Sequence, residues 1–469
     1  LLPKNASAPS AESVGRDPRI KWDAYNSLLS AVNGGILQFS SLTVTQNPGA
    51  SIVAGAGSFV HFSGLTLVNG TFATSGTGIG QVVGSSTFTG VANEGVLTVE
   101  DARLLAIVDG ITNNGAMTVN PTAGGNGTYI QFNNSGAIAG DGEIVLNASG
   151  NVDTASVITV GAAVATNTGD HLIRGTGNIA AVLINDGEIR ADQSGKILRL
   201  NGGPKTNNSL FSAVNGGVLQ LSSLTVTQDP AASILATNAE VQFAAITLNG
   251  GSIGTAGSGL GRVTGSSTFT SVINNGLLNI DDARLLAISS GLVNNATITV
   301  NPTAGGNGTY IQVNNTYELT GTGQVILNAS GNLETAAVYT VGGAVLTNAP
   351  GHTIAGRGRI NGNFINNGRI APGNPTDSTS YIERAGTYTS TPTSVIDIDI
   401  NGVIQGDSYD HFRSTGAMTL GGTLTVRLAP GYIPPASTAF TVVSAPSISG
   451  IYDTAVSYTH LTLPTNREV

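Results

Sequence analysis

The chain has 469 residues, 64 of them glycine, with 10% charged and 5% aromatic side chains, a composition unlike that of an ordinary helical or α/β enzyme. Its 40% apolar content argues against disorder, and the absence of Cys removes disulfides, thiolate metal ligands and thiol nucleophiles. With 19 basic against 28 acidic residues and a net charge of −9, no nucleic-acid partner is expected, because phosphate backbones are read by clustered Lys and Arg.

Residues 1–10 carry no signal pattern; residues 1–25 are read as an N-terminal fragment or cap, and Trp22, the single Trp, is expected to cap the first coil. From residue 26 the chain is a tandem duplication. Residues 26–35 (NSLLSAVNGG) return at 208–217 (NSLFSAVNGG), and 40–46 return unchanged at 222–228, a displacement of 182. The displacement becomes 181 for 101–107 against 282–288 and for 119–131 against 300–312. The chain thus holds two units, 26–207 and 208–372.

A shorter period runs inside each unit. Asn93, Asn113 and Asn133 are spaced by twenty, as are Asn274, Asn294 and Asn314. They are read as corners, since Asn and Gly tolerate φ > 0. The Val/Ile/Leu/Thr runs between them suit strands and are too short for helices. Coils of about twenty residues that each climb one strand spacing predict an all-β chain, a right-handed parallel β-helix or solenoid. Val, Ile, Leu and Ala would face inward and Thr, Ser and Asn outward.

After residue 372 the turns become Pro, Thr and Ser rich, and 396–400 (IDIDI) alternates as a half-buried strand does. Residues 373–455 are expected to form a distinct β module that caps the open end of the solenoid.

The segments 366–373 (NNGRIAPG), 386–388 (GTY), 396–400, 406–410 (GDSYD) and 420–426 resemble, in that order, the end of autotransporter-type passenger regions. The upstream coils resemble the same broad group of bacterial surface adhesins. The resemblance implies a pectin-lyase-like β-helix that is exported and displayed. Residues 373–376 lack the second Ser-Pro-Gly element common there. Residues 456–465 (VSYTHLTLPT) resemble an in-frame translation of sequencing-adapter DNA, so 456–469 are read as a non-native tail.

Few titratable residues stand at spacings that suggest chemistry. Glu100 with Asp101, and their copies Asp281 with Asp282, are the best candidate for paired carboxylates acting on sugars; adjacent strand residues point to opposite faces, so a solvated corner is expected instead. His61, His171, His352, His411 and His460 are scattered without zinc-ligand spacing. The glycine runs 76–80 and 257–261 precede no helical pattern, as a phosphate loop requires. Residues 124–127 lack the Asp of calcium-binding repeats. Asp407 and Asp410, with Asp397 and Asp399 nearby in sequence, form the most suggestive acidic cluster, a candidate cation site weighed against exposed turn carboxylates. Arg103 and Arg284 are copies a full unit apart and cannot share a groove.

No catalytic, cofactor-binding or metal-binding residue is therefore assigned. The expected protein is a non-catalytic, monomeric surface solenoid whose polar ladders meet a cell-surface or matrix glycan, with membrane contact only through an anchor or translocator outside these 469 residues. The alternative is a β-helical polysaccharide lyase or glycoside hydrolase, which needs charged side chains converging in one groove.

Overall fold

Alternation makes each strand one-sided. In Phe59–Ser63 the side chains of Val60 and Phe62 are buried, while Phe59, His61 and Ser63 are not, the period-two pattern of a sheet with one dry face. The computed structural model describes residues 26–373 and 379–457, and the backbone of Glu12–Val14. Trp22, His460, most of 373–376 and residues 458–469 lie outside the described residues. The chain divides into two compact units, Leu1–Gln242 and Phe243–Val469. That division falls inside the second sequence repeat and not at its start.

In the first unit successive coils stack in three parallel ladders. One runs through Leu28–Ala31, Ser51–Ala54, Thr71–Thr74 and the end of Ser86–Glu94, and continues to Lys205–Asn207 and Thr225–Gln228. A second climbs from Ile36–Ser40 through Phe59–Ser63, Ile79–Gly84, Val96–Val99 and Glu143–Asn147 to Ser233–Thr237. The third climbs from Thr43–Thr45 through Thr66–Val68, Thr128–Phe132 and Ala155–Thr159 to Val218–Ser222. This is a parallel β-helix. A coil supplies one strand to each ladder, so parallel pairing needs no crossover helix.

The second unit repeats the arrangement. One of its ladders runs from Leu260–Gly265 through Leu278–Ile280, Thr297–Val300 and Gln324–Asn328 to Thr353–Asn361 and Arg369–Pro372. Residues 379–457 carry the same ladders onward: Val395–Ile400 pairs with Arg369–Pro372, Thr423–Leu428 with Val395–Ile400, and Thr454–Ser457 with Thr423–Leu428, all parallel. The change of composition at 373 therefore coincides with no change of strand direction. Val456 and Ser457, the first residues of the expected tail, lie in the last of these strands.

The core of the first unit holds stacked phenylalanines. Phe62 lies 6.2 Å from Phe39 face to face, and 5.4 and 5.3 Å from Phe72 and Phe88 edge to face. The copies Phe243 and Phe269 meet edge to face at 5.4 Å in the second unit. Helix is confined among the described residues to two single turns, Val152–Thr154 and Leu333–Thr335, each capped by an Asn side chain, Asn151 or Asn332.

Candidate functional site

Of the twenty-residue Asn set only Asn133 and Asn314 lie in the turns between strands; the other four do not form corners. Asn113 and Asn294 end strands, and Asn93 and Asn274 stand one residue before the end of theirs, all four with their side chains fully buried, and left-handed φ occurs at other Asn residues: 33, 69, 120, 215, 238 and 301. Asn133 and Asn314 face outward and accept from Gln131 and Gln312, at 2.7 Å each. The buried amides instead find partners in the coils above and below, as burial of an amide requires.

In the first unit these contacts join into one chain. Asn93 Nδ2 donates to Asn113 Oδ1 at 2.7 Å, and Asn113 Nδ2 to His171 Nε2 at 2.9 Å. His171 Nδ1 donates to Asn167 Oδ1 at 2.7 Å. Asn167 then donates to Asn185 at 2.8 Å, Asn185 to Asn207 at 2.9 Å, and Asn207 to Gln228 Oε1 at 3.0 Å. The second proton of each amide reaches a backbone carbonyl, such as Glu143 O for Asn113 and Leu210 O for Asn185. The second unit repeats the pattern from Asn274 to Asn294, His352, Asn348 and Asn366, and closes on the hydroxyl of Tyr388 at 3.2 Å. Burial drives both imidazoles down, to about 4. Each is neutral, with its proton on Nδ1.

Lys205 is a second buried polar centre. Its Nζ donates to Ala181 O, Asn201 O and Gly203 O at 2.6, 2.7 and 2.7 Å. Burial pulls this ammonium down to about 7, against three carbonyls that each favour its charged form.

The paired carboxylates weighed from the sequence are engaged by the coils on either side of their own. Asp101 accepts from the backbone and side-chain nitrogens of Asn126 at 3.1 and 2.7 Å, and Asp282 does the same for Asn307 at 3.1 and 2.8 Å. Both carboxylates tie down the glycine loops that contain 124–127 and its copy. Those loops are closed further by Asn120, which bonds both backbone groups of Gly124. Glu100 accepts from Gln81 and Thr98, and Asp281 from Arg262. His61, the partner of Gln81 on the preceding coil, extends the Glu100 chain by a bond to Gln81 Oε1 at 3.0 Å. The glycine runs 76–80 and 257–261 lead into Ile79–Gly84 and Leu260–Gly265, which are strands. Arg103 and Arg284 are exposed.

Of the acidic cluster, Asp410 is buried and accepts from the backbone nitrogens of Ser380 and Asp399 at 2.8 and 2.9 Å. Burial pushes its carboxyl up to about 8, helped by the nearby charges of Asp399 and Asp397 and opposed by those two donors. Asp397 pairs with Arg369 and Arg427, and Asp399 with Arg427 at 2.9 Å. Asp407 contributes its backbone carbonyl, to Thr379. His411 bonds Ser444 at 2.8 Å, and burial together with Arg413 holds it down to about 4. Among the described residues no three His, Asp or Glu side chains are grouped to hold a metal ion.

A groove that no sequence motif marks lies over the His171 corner. It is open, about 720 Å³, and lined in part by Asp141, Glu143, Asp170, His171, Glu188 and Arg190. Glu143 takes both Nε and Nη2 of Arg174 at 2.6 and 3.1 Å, which holds its carboxyl low. Burial works to raise Glu188, and bonds from Arg190 and Ser212 prevail to lower it. Asp141 and Asp170 stand exposed beside these pairs. These residues are spread over fifty positions of sequence, and only alignment coil against coil brings them into one file. No protein family matches this chain, and no curated protein does. No helix among the described residues is long and apolar enough to cross a membrane.

Proposed function

We propose that this chain is a non-catalytic, exported β-solenoid of autotransporter-passenger type, displayed on a bacterial surface, where it presents repeated polar side chains to a glycan or matrix. The observation that carries the reading is the registered outer face of the coils. Thr43, Thr66 and Thr87 are Cα partners on three successive strands, as are Gln38, His61 and Gln81, and Ser40 pairs with Ser63. Such files repeat one hydrogen-bonding group at each strand spacing, roughly 4.8 Å. Weak contacts in register add up through avidity. The duplicated carboxylates support the reading as well, since Asp101 and Asp282 are occupied in tying down the glycine loops of the following coils.

Full-length chain on a glycan array and on immobilised matrix polysaccharides tests it. Binding should be measurable without any change in polymer length, and Thr66→Ala with Thr87→Ala should weaken it several-fold. Release of oligosaccharides from any polymer by the purified chain would overturn the reading.

A second reading, a polysaccharide hydrolase or lyase, is favoured by the groove that gathers Asp141, Glu143, Asp170 and Glu188 beside Arg190. Glycoside cleavage uses two carboxyl groups flanking the scissile bond, and Asp141 with Asp170 are the exposed pair there. Under this reading Asp141→Asn with Asp170→Asn would abolish product release while leaving the fold unchanged.

A further inference from the structure

Two of the three buried histidines among the described residues, His171 and His352, occupy a position that no other residue type in their ladders shares. Each imidazole is the only link between an Asn 58 residues earlier and an Asn four residues earlier. Each accepts at Nε2 and donates at Nδ1, so the neutral ring alone satisfies both neighbours. An imidazolium carries protons on both nitrogens, and its Nε2–H would face the Nδ2 of Asn113 or Asn294.

Rotation of one amide cannot repair that clash. Turning Asn113 over would point its Nδ2 at the Nδ2 of Asn93, which already donates to it, and would remove the donor from Glu143 O. The ladder has one polarity along its length, so a proton at the histidine is felt by the whole stretch. The same holds for Asn274, Asn294 and Gln324 O in the second unit.

The surroundings of the two rings differ in sign. Around His171 the packed strands present Glu143, Glu188 and Arg190, the corner adds Asp141 and Asp170, and Arg174 neutralises Glu143. The register Glu143–Leu172–Glu188 becomes Gln324–Thr353–Arg369 around His352, with Arg369 bound to Asp397. Asp141 and Asp170 become Thr322 and Gly351. The carboxylates over His171 favour its charged form, and Glu143 acts on it directly.

We infer that His171 and His352 are acid-operated release points in the two ladders, and that His171 opens first, loosening the coils beneath the charged groove before the second unit responds. Between the free value of 6.5 and about 4 the folded chain excludes protons that the unfolded chain takes up, so stability is fully present above 6.5 and falls as the pH drops through this window.

The test is a pH titration of the full chain labelled in its histidine rings. Magnetic resonance, with the third buried ring, His411, assigned by its loss in His411→Gln, should find the His171 and His352 rings neutral with the proton on Nδ1 at pH 7, protonating near 4 with His171 ahead of His352. Alongside it, His171→Gln keeps an acceptor and a donor, as Gln228 does at the ladder's end, but cannot titrate. In that variant the loss of backbone exchange protection around 165–191 at acid pH should disappear, while the region around 348–366 behaves as in the parent. Titration of His171 or His352 near 6.5, an Nε2–H tautomer at either, His352 protonating first, or an unchanged acid profile in His171→Gln would each overturn the inference. If the variant does not fold, the ring titration of the parent decides alone.

Discussion

Lys205 and Arg384 hold the same corner in the two units. Lys205 Nζ donates to Ala181 O, and the Arg384 guanidinium donates to Gly362 O, the carbonyl 181 residues further on, and also to Ile360 O at 3.3 Å. Both cations are buried. The duplicated coils thus share a need for donors at this corner, met by different residues reaching from the following coil. Lys205→Met, which keeps the stem and removes the donors, is expected to leave three carbonyls without a partner and to cost about 3–5 kcal/mol. Urea unfolding read by a probe in the first unit measures this; a loss under about 1 kcal/mol would show that water or backbone shifts replace the ammonium.

The ladders make a parallel claim for amides. Asn185 accepts from Asn167 and donates to Asn207, Gly187 O and Leu210 O. Asn185→Leu fits the space and strands groups on both sides, with an expected cost of about 2–4 kcal/mol. Asn133→Leu, on the exposed member of the period, should cost under about 0.5 kcal/mol. Equal effects at the two positions would show that the buried chain of amides is not what stabilises the coils.

The period of twenty makes the parallel β-helix legible, because a repeat this short with no helical pattern leaves few ways to pair strands. It does not reveal what the Asn residues do. An Asn that ends a strand and bonds the next coil looks, in sequence, like an Asn that turns the chain at positive φ, and the spacing of Asn93 suggests the second kind where the fold has the first. The paired carboxylates Glu100 and Asp101 stand at a turn, as the sequence suggests, but their contacts with Gln81 on the coil before and Asn126 on the coil after make them part of the bonding between coils. Asp141, Asp170 and Glu188 carry no signal in the sequence, since residues on neighbouring coils stand some twenty to thirty positions apart and no local motif joins them.

Gly175 shows where backbone and not side chain sets the sequence. It has φ +105°, and a Cβ there would lie 2.2 Å from Leu146 O; its copy Gly356 has φ +94° and would meet Leu327 O at 2.1 Å. Each sits where a long strand, Leu172–Ile179 or Thr353–Asn361, passes from one ladder to another. Gly175→Ala and Gly356→Ala are each expected to cost about 2–4 kcal/mol, whereas Gly150→Ala, with nothing within 4 Å, should be near neutral. Thermal melts of the three variants separate these outcomes.

Asp410 gives the second unit a pH dependence opposite in sign to that of the histidines. Its folded carboxyl lies at about 8 against 3.8 when free, so the folded chain binds the extra proton between these values. Stability from this group is present below 3.8 and is lost as the pH rises toward 8. Asp410→Asn cannot ionise, and it sets an amide NH₂ against one of the two backbone N–H groups that Asp410 accepts, from Ser380 and Asp399. The variant should therefore be less stable than the parent at pH 5, and the gap should narrow by a few kcal/mol by pH 8 as the parent ionises. Unfolding of parent and variant across this range, followed by Tyr388 or Tyr409 fluorescence in the second unit, measures the gap. A gap that widens with pH would mean that the two N–H donors, and not burial, control the carboxyl.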